Sequence, residues 1–263
     1  MKSKYLKEFI EEIKYKNRNP RNLKALELLN DIPTNPQIVI DTSESLYRAR
    51  VVNDPKEIGK EKDFYGYDAK GSFVPPANLT RDFRANYRYI PYLYCANHPY
   101  VGLAEVRPRL GTTVSIATIA VKESLTLLDF TIQHKPSKMS NAKKNLFEDL
   151  SALFSMPVTN NDDIIDYIPT QFVAEYAKYM GYDGIAFSSS VTPEYYLCDP
   201  NRFNVVVFNY DKCEAIKSNI VMVTRTYIES EQIDEDTSSL NISNYVEDEL
   251  DKIIGIQDSL INA

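Results

Sequence analysis

The chain has 263 residues, 43% of them hydrophobic and 25% charged, which is typical of a soluble globular protein with one sizeable domain or two small ones. The formal net charge of −7 argues against a general nucleic-acid-binding surface, because binding to a phosphate backbone normally needs a basic face. No apolar run approaches the roughly eighteen residues of a membrane span, and the N-terminal segment is charged throughout. We therefore expect a cytoplasmic protein without a membrane anchor.

The residues suited to metal or nucleophilic chemistry are few and scattered. Three cysteines, Cys95, Cys198 and Cys213, are odd in number and lack metal-ligand spacing, so we expect reduced, mostly buried thiols and no metal site. Two histidines, His98 and His134, lie far apart without evident partners for a catalytic triad. Nineteen tyrosines and no tryptophan place much of the aromatic surface on rings that also form hydrogen bonds. A small anionic ligand fits this composition better than nucleic acid.

The first part of the chain is predicted to form two helices that pack as a hairpin on the main body. Apolar residues at helical spacing mark residues 3–17, and a second such pattern ends near residue 31. Strands are then expected at residues 37–42 and 45–52. The second strand carries Arg48 and Arg50 on one face, because residues two apart point the same way from a strand.

The middle of the chain alternates loop, strand and helix. Residues 53–83 show no sustained periodicity and are predicted to form a long loop whose ordered part covers a site. A strand at residues 91–96 is followed by a turn and a helix that carries Glu105. Two buried apolar strands are expected next, at residues 114–121 and 125–130.

Two helices are predicted in the second half, at residues 140–154 and 169–180, with Thr170 as the N-cap of the latter. Gly181 ends that helix, and Asp183-Gly184 turns the chain into a short strand at residues 185–188. Three serines, Ser188 to Ser190, therefore lie at a strand end, where sites are often assembled. An apolar strand follows Asn204.

After residue 226 the composition becomes acidic, and residues 244–261 show the spacing of an acidic amphipathic helix. This segment is either an auxiliary tail or an element for self-association or partner docking. The predicted organisation is therefore a helical extension (1–45), a catalytic domain (46–225) and an acidic tail (226–263).

The stretch from Arg84 to Pro108 combines three arginines, a tyrosine cluster and Glu105 around a strand-like run. Arginine forks bind phosphates or carboxylates bidentately, tyrosine rings stack, and a carboxylate stabilises developing positive charge. The stretch thus suits an anionic, aromatic ligand such as a nucleotide. A surface strand with solvated arginines followed by an amphipathic helix explains the composition equally well.

Several stretches, in the right order, resemble the RES-domain family, the toxin components of RES/Xre toxin-antitoxin systems. The resemblance spans about residues 46–210. The matching residues are Leu46 to Arg50 (a YRAR-like strand); Arg84, Asn86, Ile90, Pro91, Leu93, Tyr94 and Ala96 (R-x-N-x-x-G-I-P-x-L-Y-x-A); Glu105, Arg107 and Pro108 (E-x-R-P); Tyr167, Pro169, Thr170 and Gln171 (Y-x-P-T-Q); and Gly181 to Ile185 with Ser189 (G-Y-D-G-I-x-x-x-S). One position departs from the pattern, because Tyr89 stands where the family has glycine.

The resemblance implies a compact α+β fold similar to the ADP-ribosyltransferase toxins, with a mixed β core and flanking helices. It also implies an enzyme that consumes NAD as substrate without a further cofactor, cleaving the nicotinamide-ribose bond with water or inorganic phosphate as acceptor. The alternatives are a protein ADP-ribosyltransferase and a non-catalytic nucleotide-binding module. An Xre-type antitoxin is the implied partner, and a homo-oligomer is a further expectation.

Carried over residue by residue, the family's functional residues match Arg48, Arg84, Tyr94, Glu105 and Ser189, with Ser188 and Ser190 as register alternatives. Glu105 would stabilise the oxocarbenium-like transition state, and the two arginines would pair with the diphosphate. Tyr94 would contact the nicotinamide end, and Ser189 would orient the ribose or Glu105. Because the departing pyridine is already cationic, no strong general acid is needed.

Overall fold

The computed structural model describes residues 1–59, 61–131, 139–156, 164–189, 191 and 202–226. Within these residues the helices are α1 (Lys4–Tyr15), α2 (Lys24–Asn30), α3 (Pro99–Glu105), α4 (Asn141–Ser155) and α5 (Ile164–Tyr179). The strands are β1 (Gln37–Ile40), β2 (Ser45–Val51), β3 (Leu93–Ala96), β4 (Thr113–Val121), β5 (Leu125–Asp129), β6 (Gly184–Phe187), β7 (Asn204–Val207) and β8 (Cys213–Met222). None of these helices is long and apolar enough to cross a membrane.

The strands form one mixed sheet in the order β1-β5-β6-β7-β3-β2-β4-β8. The pairing of β5 with β6 is parallel, and the other pairings are antiparallel. The predicted mixed α+β class is confirmed. Strand β7 pairs with β3, and β6 pairs with β7, so the chain segments after residue 180 meet the middle of the sheet.

The two N-terminal helices pack on one face of the sheet together with α4 and α5. Leu6, Phe9 and Ile13 of α1 are almost fully buried in a core cluster that also contains Leu146 and Val173. Asp149 of α4 accepts hydrogen bonds from the backbone N–H groups of Lys2 (3.0 Å) and Ser3 (2.6 Å), at the start of α1. The predicted packing of a helical hairpin on the main body is therefore confirmed.

The opposite face of the sheet is covered by the loop between β2 and β3. Its side chains Phe64, Phe73 and Val74 pack against a second core cluster, to which every strand of the sheet contributes. The Tyr67 backbone N–H donates to Ser115 Oγ of β4 at 3.0 Å, which fixes the loop to the strand. The ordered part of this long loop thus covers the sheet itself.

One carboxylate in the turn between α5 and β6 contacts both β5 and the connection between β7 and β8. Asp183 accepts hydrogen bonds from the backbone N–H of Thr126 in β5 (2.9 Å), from Asn209 Nδ2 (2.8 Å) and from Lys212 Nζ (2.9 Å). Gly184 follows it in close contact with β7, where an added Cβ atom would lie 2.3 Å from the Val206 carbonyl oxygen. The Gly-Tyr-Asp-Gly stretch is therefore a structural joint.

One prediction about an element is wrong, and one strand was not predicted. Helix α5 begins at Ile164, so Pro169 and Thr170 lie inside it, and Thr170 Oγ1 donates to the Tyr167 carbonyl oxygen at 3.0 Å instead of capping the helix. Strand β8 was missed in the sequence because its register against β4 shifts between Thr118 and Ile119, and a bulge interrupts the alternation of buried and exposed residues.

Some predictions fall on residues that the structure does not describe: Cys198, His134, Ser190 and the acidic helix at residues 244–261. The other two cysteines, Cys95 and Cys213, are buried free thiols, as predicted.

Candidate active site

Helix α3 brings Glu105 to the surface beside the middle strands of the sheet. His98 caps the helix, with Nδ1 accepting the Tyr100 backbone N–H at 3.2 Å, and Pro99 occupies the first turn, where its missing N–H costs nothing. Gly102 faces β2, where a Cβ atom on it would lie 3.4 Å from the Tyr47 carbonyl oxygen. Glu105 is the last helical residue and is exposed.

Two donors converge on a single oxygen of the Glu105 carboxylate. Ser189 Oγ donates to Oε1 at 2.7 Å, and Asn204 Nδ2 donates to the same atom at 2.6 Å. Oε2 accepts no hydrogen bond from the described residues. The structure thus brings together the two predicted residues Glu105 and Ser189, and among the serines it is Ser189 that contacts the carboxylate.

Asn204 was not recognised as a site residue from the sequence. It is the first residue of β7 and is 6% exposed. Its position in the sequence could have indicated a site residue. Asn204 is a polar residue at the end of an apolar strand, directly before Val205 to Phe208, just as the serines directly follow the apolar strand β6.

Arg48 lies on the other face of the sheet from Asn204. Tyr47 pairs with Ala96, and Ala96 pairs with Asn204, so these three side chains share one face, whereas Arg48 points to the opposite face. Its Nη1 atom is buried and has no hydrogen-bond partner in the described part of the chain, although the residue as a whole keeps some exposure. Burial lowers the pKa of the Arg48 guanidinium to about 10, which leaves it charged at neutral pH.

Arg84 contacts the end of helix α4. Its two terminal guanidinium nitrogens donate to the carbonyl oxygens of Leu153 and Met156, and the guanidinium lies 5.8 Å from the centre of the Tyr167 ring. Because the last carbonyls of a helix have no partners within it, this arrangement caps α4. The Arg84 guanidinium, which was predicted to bind diphosphate, therefore already donates to two backbone carbonyl oxygens of the protein.

Tyr94 shares the sheet face of Asn204, but its hydroxyl is turned to the preceding loop. The hydroxyl donates to Asn86 Oδ1 at 2.7 Å and accepts the Ala85 backbone N–H at 3.1 Å. Burial raises the pKa of this hydroxyl above its ordinary value, although the Ala85 hydrogen bond works in the other direction. Tyr94 thus fixes the backbone next to Arg84.

Tyr89, the departure from the family pattern, has a φ angle of 71°. This left-handed conformation favours glycine. The residue is 56% exposed, and the Arg88 guanidinium lies 4.9 Å from the centre of its ring. The backbone therefore keeps a shape suited to glycine while the side chain points to solvent.

A cavity of about 260 Å³ lies elsewhere, between residues 69–74 of the long loop and the start of β8. It is lined by none of the predicted site residues, so the candidate site is the exposed surface around Glu105.

Comparison with known proteins agrees with the resemblance found in the motifs. The profile of the RES domain family matches residues 47–228, which is more than half of the chain. No curated protein matches it in sequence. Among solved structures, it is similar to a chain of the crystal structure of the M. tuberculosis MbcT-MbcA toxin-antitoxin complex, with a TM-score of 0.42 and 16% identity, covering 76% of this chain and 93% of that one. On the family match, this chain belongs to the RES domain family.

Proposed function

We propose that this protein cleaves the nicotinamide-ribose bond of NAD. The observation that carries the proposal is the Glu105 carboxylate, which in a member of the RES domain family is exposed and held through Oε1 by Ser189 and Asn204. An exposed carboxylate in a fixed orientation suits a reaction in which positive charge develops on a sugar.

The proposed chemistry follows from the leaving group. Nicotinamide departs as a neutral pyridine from a cationic precursor, taking the bonding electron pair, and the ribose becomes oxocarbenium-like. Oε2 of Glu105 is the oxygen available to face that charge or to orient the incoming nucleophile. Electrostatic groups of this kind contribute about 3 to 4 kcal/mol to transition-state stabilisation.

The acceptor completes the reaction. Water yields ADP-ribose and one proton, whereas phosphate yields ADP-ribose phosphorylated at the anomeric carbon. A protein nucleophile would retain ADP-ribose instead. We propose the first two acceptors, with a cellular role as a toxin that depletes NAD and is restrained by an Xre-type antitoxin, as the family resemblance implies.

Arg48 is proposed to bind the diphosphate. A buried guanidinium nitrogen without an acceptor is costly, and an anionic ligand would supply the acceptor. The sheet register separates Arg48 from Glu105, so this assignment requires NAD to reach the other face of β2. Arg48→Met tests it, because loss of a diphosphate contact raises KM for NAD by about tenfold or more. An unchanged KM would remove Arg48 from the binding site.

The decisive experiment incubates the full chain with NAD and quantifies nicotinamide and the ADP-ribosyl product, with and without phosphate. Glu105→Gln is expected to lower turnover by about 100- to 1,000-fold. Glu123→Gln is the matched control, since Glu123 is an exposed glutamate in the turn between β4 and β5 and loses the same charge.

Full turnover in Glu105→Gln would exclude Glu105 from the mechanism. Label that appears on a macromolecule would instead indicate protein ADP-ribosylation. Binding of NAD without its loss would indicate a non-catalytic module.

A further inference from the structure

The start of strand β7 is attached to helix α3 at both of the helix's ends. At the N-terminal end, the Phe203 backbone N–H donates to Asn97 Oδ1 at 2.8 Å, and the Asn97 backbone N–H donates to the Phe203 carbonyl oxygen at 3.1 Å. At the C-terminal end, Asn204 Nδ2 donates to Glu105 Oε1. A helix of this length spans only about 10 Å, so two consecutive residues, Phe203 just before β7 and Asn204 at its start, reach both ends of it.

The two donors on Glu105 differ in how firmly they are held. Asn204 belongs to a strand whose backbone is paired on both sides, with Ala96 of β3 and with Phe187 of β6. Ser189 lies two residues beyond the end of β6. A group on a regular strand holds a partner more precisely than a group on a loop, so the amide is the more rigid anchor.

The chemistry of the amide also suits this role. An Asn side chain placed at the start of an otherwise apolar, fully buried strand is costly unless it makes a hydrogen bond. Here its N–H₂ group donates to a charged oxygen, the stronger kind of hydrogen bond.

We propose that Asn204 is a positioning residue: it holds the Glu105 carboxylate in one orientation, with Oε1 engaged by the protein and Oε2 presented to the ligand. The catalytic consequence rests on the proposed function, whereas the orientation itself does not. Asn204 acts through Glu105 and has no assigned contact with NAD.

The kinetic test uses the full chain and a double-mutant cycle. Asn204→Ala is expected to lower kcat for nicotinamide release by about tenfold to a hundredfold while KM for NAD changes by less than about threefold. In the Glu105→Gln background the same substitution is expected to cause no further loss, because two residues that act as a unit are not additive. Asn204→Asp, which keeps the shape but replaces a donor with an acceptor, is expected to behave like Asn204→Ala and serves if the alanine variant fails to fold.

Asn35→Ala is the matched control. Asn35 is equally buried, at 3% exposure, and donates through Nδ2 to the Leu29 carbonyl oxygen and to the Tyr182 hydroxyl. Its loss is expected to lower stability and to leave kcat per folded molecule unchanged, which separates a general packing defect from positioning.

A second measurement does not depend on turnover. In ¹H–¹⁵N spectra, Glu105→Ala is expected to shift the side-chain amide resonances of Asn204 and to leave those of Asn35 in place. Wild-type kcat in Asn204→Ala, or additive losses in the cycle, would overturn the catalytic consequence. If the wild type releases no nicotinamide, the proposed function fails, and the orientation of the Glu105 carboxylate is then tested by the amide spectra alone. Asn204 resonances that do not move in Glu105→Ala would overturn that orientation as well.

Discussion

Single residues around Glu105 differ in whether their polar groups already have partners. Oε1 of the Glu105 carboxylate accepts two hydrogen bonds, whereas Oε2 accepts none from the described residues. The Tyr94 hydroxyl is engaged by the Ala85 backbone N–H and by Asn86 Oδ1, and Arg84 donates to carbonyl oxygens at the end of α4. The direct substrate contacts predicted for these two residues stay predictions, and their observed bonds favour a supporting role.

Tyr94→Phe separates the two roles. Removing the hydroxyl leaves the Ala85 N–H and Asn86 Oδ1 without this partner in a buried place, so we expect the unfolding free energy to fall by about 1 to 3 kcal/mol. Urea unfolding measures the loss. Unchanged stability together with strongly reduced turnover would instead indicate that the hydroxyl acts on substrate.

Tyr89→Gly tests the unusual backbone at that position. A left-handed residue other than glycine costs roughly 1 to 2 kcal/mol, and the extra freedom of glycine in the unfolded chain offsets part of the gain. We expect the unfolding free energy to rise by up to about 1 kcal/mol. Tyr89→Ala removes the ring but keeps the strain, so it should bring no gain; equal effects of both variants would attribute the change to the ring.

At the scale of elements, the joint at Asp183 explains how strands distant in sequence are fastened together. Besides its carboxylate bonds, its backbone N–H donates to the Thr126 carbonyl oxygen at 2.8 Å, and its carbonyl oxygen accepts the Phe208 N–H at 2.7 Å. Burial alone would raise the pKa of Asp183. The hydrogen bonds from the Thr126 N–H, Asn209 and Lys212, together with the charge of Lys212, outweigh this effect and lower the pKa below its ordinary value. This element places β6 and β7, and hence Ser189 and Asn204.

A lowered carboxyl pKa makes stability depend on pH in a defined direction. The stabilisation from ionised Asp183 is present above the ordinary pKa of an aspartate and is lost as pH falls through the lower folded value. Asp183→Asn should therefore cost about 1 to 3 kcal/mol at neutral pH, and its deficit relative to wild type should shrink below about pH 4.

Unfolding measured between neutral and acid pH checks this, with Asp211→Asn, an exposed neighbour in sequence to Lys212, as the control expected to change stability by less than about 0.5 kcal/mol. A deficit for Asp183→Asn that does not vary with pH would contradict the assignment.

At the scale of the whole molecule, charge is divided unevenly along the chain. Residues 227–263 contain ten acidic residues and one lysine, whereas residues 1–226 contain 29 basic and 27 acidic residues. The net charge of −7 thus comes from the last segment, and the remainder of the chain is close to neutral. An overall negative charge therefore does not exclude basic surface on the body, because charges farther apart than about 10 Å are largely screened.

Deleting residues 227–263 is expected to raise the isoelectric point from acidic to near or above neutrality, as isoelectric focusing would show. Both described core clusters are formed by residues 6–215, so the thermal midpoint should shift by no more than a few degrees. Loss of the cooperative transition would show that the deleted segment contributes to the core.

The amino-acid sequence by itself determined the features that depend on local pattern. The spacing of apolar residues located α1, α4 and the buried strands, and the ordered motifs identified the family and pointed to Glu105 and Ser189. Tyr89 also stood out as a departure, although only its φ angle shows that the backbone shape is kept.

Only the tertiary structure decided which distant residues meet. Ser189 and Asn204 lie 84 and 99 residues from Glu105, and they reach it because β7 pairs with β3 and β6 pairs with β7 in the middle of the sheet. The face on which Arg48 lies depends on strand register, where a shift of one residue reverses every side chain. The acceptors of Arg84 belong to a helix some seventy residues away. Local periodicity predicts none of these contacts, because strand order and register arise from the packing of the whole chain.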